Sequence, residues 1–276
     1  MSRKGLLRVL AISAVADGLL LLVRGRSYAN WWKALPGPNL YRRATTWFAG
    51  LPPWTIPLLG LGEAAVGFSV LGKVPVDVGE LYNPMAAAIY DRINVVWRWR
   101  LYPGIHQAFD DALAEYLPEG GSVLDLGCGT GANLGRLHAL NLPFGAYVGV
   151  DQSESMLAQS EAKFGDVQRA SFRCLNLMTD PLPDGQFDLV VSTWVFSHLP
   201  DPARVVEKAM AKLREGGHMV LLFIGRPEGP GAGPLASSLA FFSTHPVSER
   251  TYLAFPGPVR LKRFSGGALV LMVLRH

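Results

Sequence analysis

The sequence has few cysteines and few charged residues, and both shortages exclude whole classes of protein. Only two of its 276 residues are cysteine, Cys128 and Cys174, which excludes a disulfide-stapled scaffold and indicates a reducing compartment. Charged residues make up 17% and hydrophobic residues 49%, with a mean hydropathy of +0.21, whereas soluble domains usually carry ~25% charge. This composition excludes a disordered, collagen-like or coiled-coil chain. The two cysteines are not spaced as metal ligands, and we predict no metal site.

The positive charge lies in the N-terminal part of the chain. Residues 1–106 have a balance of +7 and residues 107–276 a balance of −3. Six of the seven tryptophans also lie in the first part: Trp31, Trp32, Trp47, Trp54, Trp97 and Trp99. Cations mixed with tryptophan are typical of a membrane interface. Nucleic acid is the competing partner for a basic chain, but it explains apolar runs poorly, and we expect none.

Two apolar runs, Gly5 to Val23 and Trp54 to Gly72, flank a basic aromatic stretch. A helix over the first run would be roughly 28 Å long, which just matches a bilayer core. The runs predict a membrane-associated helical hairpin within residues 1–80, as an anchor and not a cleaved leader. Two transmembrane helices would place the intervening cations opposite the C-terminal domain, so a shallow insertion is favoured.

Each apolar run contains one carboxylate, Asp17 in the first and Glu63 in the second. A carboxylate is costly at the centre of a bilayer. The two groups either form a polar pocket or a pair with Arg8, or they remain hydrated because the helices pack on the protein or lie at the interface. The second alternative is favoured.

Residues 81–118 are amphipathic and aromatic, and they predict a lid or connecting helices that include Tyr90. The spacing of Ala108, Leu113 and Leu117 predicts a helix from Gln107 to Leu117. From residue 119 onwards the chain alternates short strands and helices, which predicts an α/β domain with a mostly parallel sheet. Strands are predicted at 123–126, 147–150, 172–175, 187–192 and 218–224, helices at 132–140, 155–164 and 202–213, and a closing hairpin at 259–264 and 268–274.

A glycine loop follows the first of these strands, in the sequence VLDLGCGTG at residues 123–131. Missing side chains let a ligand approach the backbone, and the following helix N-terminus favours a negatively charged group. Asp151 at the end of the next strand can accept both hydroxyls of a ribose. The loop alone also fits a dinucleotide fingerprint, so an NAD(P)-dependent oxidoreductase stays open as an alternative. Asp125 within the strand favours a cationic ligand over a pyrophosphate.

The motifs from residue 85 onwards resemble one family in their order. VLDLGCGTG (123–131) is followed by VGVDQSESML (148–157), PLPDGQFDLVVSTWVFSHLPDP (181–202) and LREGGHMVLLF (213–223). Together they are similar to the class I S-adenosylmethionine-dependent methyltransferases of the type 11, ubiquinone/menaquinone-like branch. The resemblance implies a Rossmann-like seven-stranded sheet with helices on both faces and a reversed last strand. It also implies S-adenosylmethionine as cofactor and S-adenosylhomocysteine as product.

The resemblance also implies site residues. The glycines of the loop would line the methionine part, Asp125 would lie near its amino group, and Asp151 would hold the ribose. Asn176 stands where the family often has an aspartate that meets the adenine amino group. The implied cofactor-binding residues are Asp125, Gly127, Cys128, Gly129, Gly131, Asp151, Gln152, Met156, Asn176, Leu177, Ser192 and Thr193.

On the acceptor side, the implied catalytic candidates are Tyr90, Trp194 and His198. For each of them a purely structural role stays open: Trp194 as core, Tyr90 as an interfacial aromatic, and His198 as a helix-start histidine bonded to the backbone. No general base is assigned.

The expected function is methylation of a lipid or other hydrophobic small molecule, such as a phospholipid amine, a quinone or a thiol. We expect it at a lipid membrane, with the catalytic domain on the cytoplasmic side. The alternative is a membrane-docked, methyltransferase-like protein that modifies or scaffolds a protein partner. The sequence does not predict an oligomeric state.

Overall fold

The computed structural model describes residues 3–35, 38–71, 104–226 and 244–276, which divide into two compact units. The helical unit comprises the described residues up to 71, and the sheet unit comprises the described residues from 104 onwards. The predicted boundary near residue 80 and the predicted lid around Tyr90 fall between 72 and 103, outside the described residues. The structure therefore leaves both as predictions.

The helical unit contains four helices within its described residues: α1 (Arg3–Arg24), α2 (Arg26–Ala34), α3 (Asn39–Ala49) and α4 (Thr55–Leu71). The two apolar runs form α1 and α4, and the basic aromatic stretch forms α2 and α3. The predicted helical hairpin is present, since α1 and α4 pack along each other. Among the described residues, none of the helices is both long and apolar enough to pass through a bilayer. The transmembrane interpretation of the runs is not supported, and membrane association stays a prediction.

Glycines let α1 and α4 approach each other closely. A Cβ at Gly18 would lie 2.4 Å from the carbonyl oxygen of Gly60, and a Cβ at Gly60 would lie 2.5 Å from that of Gly18. Two turns further along, a Cβ at Gly67 would lie 2.8 Å from the carbonyl oxygen of Ala11. The contacts run in opposite directions along the two helices, which are therefore antiparallel. Small residues at such a crossing allow backbone-to-backbone packing.

Asp17 and Glu63 lie near each other in this hairpin and are half-buried. Asp17 Oδ1 accepts hydrogen bonds from Tyr28 Oη at 2.5 Å and from Trp32 Nε1 at 3.2 Å. Burial raises the pKa of Glu63, and the neighbouring charge of Asp17 raises it further. Asp17 therefore has two aromatic donors, while the favoured expectation that these helices pack on the protein agrees with the contact between α1 and α4. The predicted pairing with Arg8 is not tested, since the side chain of Arg8 is not among those described.

The sheet unit confirms the predicted seven-stranded α/β fold. Its strands are β1 (Gly121–Leu126), β2 (Phe144–Asp151), β3 (Ala170–Cys174), β4 (Phe187–Thr193), β5 (Leu213–Ile224), β6 (Pro258–Phe264) and β7 (Leu269–Arg275). They stand in the order β3-β2-β1-β4-β5-β7-β6. β7 is antiparallel to both of its neighbours, as expected of a reversed last strand, and the β1–β2, β1–β4, β2–β3 and β4–β5 pairs are parallel.

Helices cover both faces of the sheet. They are α5 (Ile105–Tyr116), α6 (Ala132–Ala139), α7 (Glu154–Phe164), α8 (Pro202–Met210) and α9 (Glu249–Leu253). Side chains along a strand alternate between the two faces. In β5, Leu221 packs into the core beneath α8 and α9, whereas Leu222 packs into the core that contains α5 and α6.

The predicted boundary between α8 and β5 was wrong. The helix predicted to reach Leu213 ends at Met210, and β5 begins at Leu213, five residues before the predicted start. Leu213 is buried and pairs with Phe187 of β4. Strand pairing and burial therefore determine the structure of these residues, and not the helical pattern.

The helix α5 falls within residues 81–118, which were expected to form a lid or connecting helices. The structure places it in the core of the sheet unit through residues such as Phe109 and Leu113.

The close helix crossing gives a testable prediction on stability. Gly60→Ala should destabilise the helical unit by about 1–3 kcal/mol, because the new methyl group would overlap the α1 backbone. Gly62→Ala is the matched control, since a Cβ there meets nothing within 4 Å. It should leave stability unchanged or raise it by up to about 1 kcal/mol through helix propensity. Thermal unfolding followed by tryptophan fluorescence checks both variants, and equal midpoints for the two would contradict the packing.

Candidate functional site

The carboxyl ends of β1, β2 and β4 lie side by side, and the glycine loop follows the first of them. Gly127, Gly129 and Gly131 have φ of 69°, 54° and 80°, in the left-handed region that favours glycine. The loop is tied to β2, because the N–H groups of Gly127 and Cys128 both donate to the carbonyl oxygen of Val150, at 2.7 and 2.9 Å.

Asp151, the last residue of β2, links this loop to the next helix. Its Oδ2 accepts from the N–H of Gly129 at 2.9 Å, and its Oδ1 accepts from the N–H of Ser153 at 2.8 Å. Burial raises the pKa of Asp151, and the N–H donors of Ser153 and Gly129 oppose that rise. Each oxygen of an ionised carboxylate has more than one acceptor position, so Asp151 retains capacity to bind hydroxyl groups.

Asp125 lies inside the sheet and is 0% exposed. It accepts from Tyr147 Oη at 2.5 Å and from Asn133 Nδ2 at 3.0 and 3.2 Å. Asn133 Nδ2 also lies 3.2 Å from Thr193 Oγ1 at the end of β4. Burial raises the pKa of Asp125 to about 7 against the effect of these donors, with a smaller contribution from the charge of Asp151. This carboxyl thus ties together β1, β2 and the start of α6.

A cavity of about 360 Å³ opens over these strand ends, within the volume range of small-molecule sites. Apolar side chains form most of its wall, and Asp151 is its carboxylate. None of the described residues that line it is a lysine or arginine. The lining residues are Gly127, Gly129, Asp151, Gln152, Met156, Leu175, Asn176, Leu177, Met178, Thr193, Trp194, Val195, His198, Leu199 and Pro200.

The loop after β3 forms one wall of the cavity and is held from two sides. Asn176 Oδ1 accepts from the N–H of Met178 at 2.8 Å, and the N–H of Asn176 donates to Asp180 Oδ2 at 2.8 Å. The ammonium group of Lys208, in α8, donates hydrogen bonds to the carbonyl oxygens of Leu177 at 2.8 Å and Asp180 at 2.6 Å. The position of Asn176 therefore depends on a helix that lies outside the cavity.

Trp194 forms the opposite wall, directly after β4. Its φ of 66° is left-handed, which is rare for a bulky residue, and its N–H donates to the carbonyl oxygen of Leu222 at 2.7 Å. The indole meets the His106 ring edge-on, with ring centroids 6.3 Å apart. Arg136 lies 3.2 Å from His106 Nδ1.

The structure brings together ten of the residues predicted from the sequence: Gly127, Gly129, Asp151, Gln152, Met156, Asn176, Leu177, Thr193, Trp194 and His198. Four others support this set from outside the lining. Asp125, Cys128 and Ser192 are buried, and Ser192 Oγ donates to the carbonyl oxygen of Leu126. Gly131 packs against Phe164 of α7, since a Cβ there would lie 2.8 Å from the ring. Tyr90 lies outside the described residues, so its predicted role remains a prediction.

Sequence reasoning missed five lining residues: Leu175, Met178, Val195, Leu199 and Pro200. All are sequence neighbours of predicted ones, and their apolar character gave no chemical signal. It also missed Asn133 and Tyr147, whose bonds to Asp125 depend on the sheet register. Among the described residues, no group of three or more histidines, cysteines or acidic residues lies close enough to hold a metal ion.

Comparison with known protein families assigns the central part of the sheet unit. Residues 124–221 match a family described as a methyltransferase domain. This match lies within the sheet unit and covers about a third of the chain. Relatives and solved structures that this chain is similar to are likewise named as methyltransferases.

Three relatives carry names that state a substrate. The 27-O-demethylrifamycin SV methyltransferase of Amycolatopsis mediterranei is 28% identical, over 56% of this chain and 62% of its own length. The demethylmenaquinone methyltransferase of Lactococcus lactis is 28% identical, over 55% and 60%. The phosphatidylethanolamine N-methyltransferase of Cereibacter sphaeroides is 34% identical, over 40% and 55%. The chain thus spans less than two thirds of each of these relatives.

Solved structures match the fold of the methyltransferase domain at low identity. The S-adenosylmethionine-dependent methyltransferase from Mesorhizobium loti is 20% identical, with a TM-score of 0.52, over 63% of this chain and 100% of its own. The geranyl diphosphate C-methyltransferase of Streptomyces coelicolor, in complex with S-adenosyl-L-homocysteine, is 16% identical, with a TM-score of 0.52, over 62% of this chain and 80% of its own. The fold observed here is therefore that of S-adenosylmethionine-dependent methyltransferases.

The hydrogen-bonded pair of Asp151 and Gly129 gives a testable prediction on cofactor binding. Asp151→Ala should abolish measurable binding of S-adenosylhomocysteine, because it removes the ribose acceptor and leaves the N–H groups of Gly129 and Ser153 without their carboxylate. Gly129→Val should do the same, since a β-branched side chain is strained at a φ of 54° and would enter the cavity. Isothermal titration calorimetry measures both. Asp184→Ala, in an exposed loop, is the matched control, and normal affinity in either site variant would contradict the assignment.

The buried carboxyl of Asp125 gives a second prediction, on pH dependence. Its raised pKa means that it stabilises the fold at low pH, and that this contribution is lost as the pH rises through about 7. A cationic ligand nearby favours the ionised form, so the affinity for S-adenosylmethionine should rise between about pH 6 and about pH 8. Calorimetry over this range measures the affinity for both ligands. The affinity for S-adenosylhomocysteine, which lacks the sulfonium charge, should change less with pH than the affinity for S-adenosylmethionine. Asp125→Asn should flatten both curves, and a wild-type affinity that does not change with pH would contradict the linkage.

Proposed function

We propose that this protein transfers a methyl group from S-adenosylmethionine to a hydrophobic small molecule or lipid. One observation carries the proposal: the cavity at the carboxyl ends of β1, β2 and β4 combines a glycine loop, one carboxylate and a largely apolar wall. The carboxylate and the absence of lysine or arginine among the described lining residues suit a cofactor with positive charge. A dinucleotide pyrophosphate would call for the opposite charge, which weighs against an oxidoreductase.

The residues present fit this cofactor. Asp151 would accept the two ribose hydroxyls with the acceptor positions that its two N–H bonds leave. Asn176 Oδ1, which already accepts from Met178, has a second lone pair for an adenine amino group. Leu177 and Met156 offer apolar surface for the adenine, and the backbone of Gly127 and Gly129 would line the methionine part.

S-adenosylmethionine supplies a methyl group that is already activated on its sulfonium. The chain therefore needs to align the acceptor, exclude water and accommodate the change in charge. Thr193 and Trp194, at the tip of β4, would face the reacting centre, and Val195, Leu199 and Pro200 would exclude water. An acceptor amine, phenol or thiol must also lose a proton. His198 lines the cavity near Trp194 and is our candidate to accept this proton.

The hydrophobic nature of the acceptor is supported in two ways. Apart from Thr193 and His198, the wall on the side of Trp194 is apolar, and a phospholipid amine or a quinone ring presents mainly apolar surface to such a wall. The named relatives act, according to their names, on a rifamycin, a demethylmenaquinone and phosphatidylethanolamine. We place the enzyme at a membrane, where such acceptors reside. The two cysteines are free thiols, which favours the cytoplasmic side.

The test is a labelling experiment with the full chain. Purified protein, methyl-labelled S-adenosylmethionine and a membrane lipid extract should give label in the organic phase. The Asp151→Ala variant, which lacks the ribose acceptor, should give none, whereas Asp184→Ala should label normally. Label that appears only in protein would overturn the lipid acceptor and favour the alternative of a protein substrate.

A further inference from the structure

The outer face of α3 exposes apolar side chains that the helical unit does not use for its own packing. Leu40 is 80% exposed and Trp47 is 68% exposed. They lie seven residues apart with exposed Ala44 between them, so the three form one stripe along the helix. Other positions of α3 pack inward, through Phe48 and Ala49. Folding of the unit therefore does not account for the stripe.

The helical unit is rich in cations in this part of the sequence, and no acidic residue interrupts them. Arg42 and Arg43 lie within α3, and Arg24, Arg26 and Lys33 lie in the preceding helices. The sequence has no aspartate or glutamate from residue 18 to residue 62. A partner of this face must therefore be both apolar and negatively charged.

Exposed tryptophans accompany the cations. Trp54, just before α4, is 68% exposed, and Trp31 of α2 is 52% exposed. Tryptophan and arginine together are typical of the headgroup layer of a bilayer, where the rings meet the acyl boundary and the cations meet phosphates.

A lipid surface fits this distribution better than a protein partner does. Large apolar side chains are also exposed along α1 and α4, among them Leu10, Leu19, Leu58 and Leu61. A protein partner covers one contiguous patch, whereas lipid contacts apolar side chains on every immersed side of a helix. With 11 residues, α3 is about 17 Å long, too short to cross a hydrocarbon core of about 30 Å. It can therefore lie only within the plane of the interface.

We propose that the stripe of Leu40, Ala44 and Trp47, together with the arginines of the same helix, docks α3 in the headgroup layer of an anionic lipid bilayer, parallel to the membrane plane. This goes beyond the proposed methyl transfer, since it names the surface and the lipid charge it recognises, and it rests on the helical unit alone. The arginines supply the selectivity for anionic lipid, and the apolar stripe supplies binding that does not depend on lipid charge.

The test is co-sedimentation of the full chain with sucrose-loaded vesicles. One set contains phosphatidylcholine alone and the other contains phosphatidylcholine with about one third phosphatidylglycerol. The wild-type protein should bind the anionic vesicles more tightly, and high salt should reduce that difference. The double variant Arg42→Gln/Arg43→Gln should bind anionic vesicles roughly 25-fold more weakly, about fivefold per charge, with little change on neutral vesicles. Trp47→Ser should weaken binding to both.

Matched controls separate the docking face from general charge and from misfolding. Arg169→Gln/Arg173→Gln removes two exposed arginines from the sheet unit and should bind vesicles as the wild type does. The tryptophan-fluorescence melt of each variant reports whether the helical unit remains folded. Binding of S-adenosylhomocysteine, measured in the same samples, tests the proposed function separately, because it does not involve α3.

Two results would overturn the docking proposal. One is equal binding of the wild type to neutral and anionic vesicles, or unchanged binding of the folded α3 variants. The other is a wild-type protein that binds neither set of vesicles and elutes as a dimer in size-exclusion chromatography, while the α3 variants elute as monomers. That result would make the face an interface between two copies of the chain.

Discussion

The site depends on the carboxylate of Asp151, which joins three parts of the chain at one point. It ends β2, accepts from Gly129 of the loop after β1, and accepts from Ser153 at the start of α7. Because a half-buried carboxylate has lost part of its hydration, hydrogen-bond donors stabilise it, and the loop and the helix supply them. The resulting arrangement forms the floor of the cavity and holds the loop in its left-handed conformation. A change at Asp151 therefore alters the shape of the site as well as its chemistry.

The carboxyl groups of Asp151 and Asp125 differ in their surroundings. Asp151 borders the cavity and has backbone donors, whereas Asp125 is enclosed and has the side-chain donors Tyr147 and Asn133. The sequence resemblance implied that Asp125 lies near the cofactor amino group. The structure shows it as the centre of a network that reaches the cavity through Thr193. Its influence on a ligand would therefore pass through its charge and through the position of the β4 tip.

Much of the sheet unit could be predicted from the sequence, because the alternation of short strands and helices and the glycine loop are local signals. The strands follow from that alternation, whereas the reversed last strand and the predicted cavity residues came largely from the family that the motifs resemble. What could not be predicted depends on contacts between distant segments. Tyr147 meets Asp125 only through the register of β1 and β2, and Leu213 joins β5 because Phe187 pairs with it. In the helical unit, the hydropathy of the runs indicated helices, but the aromatic donors around Asp17 depend on how α2 folds back on α1.

The left-handed backbone of Trp194 restricts which residues this wall of the cavity can carry. Its N–H is held by Leu222 of β5, so the strand, and not the side chain, imposes the conformation. Glycine and asparagine adopt such a φ at little cost, whereas valine, isoleucine and threonine adopt it only with strain. Substitutions of Trp194 that would alter the choice of methyl acceptor consequently differ in their backbone strain. Replacement of Trp194 by glycine or asparagine needs no other change in the chain. Replacement by a branched aliphatic residue requires the neighbouring strand to adjust as well.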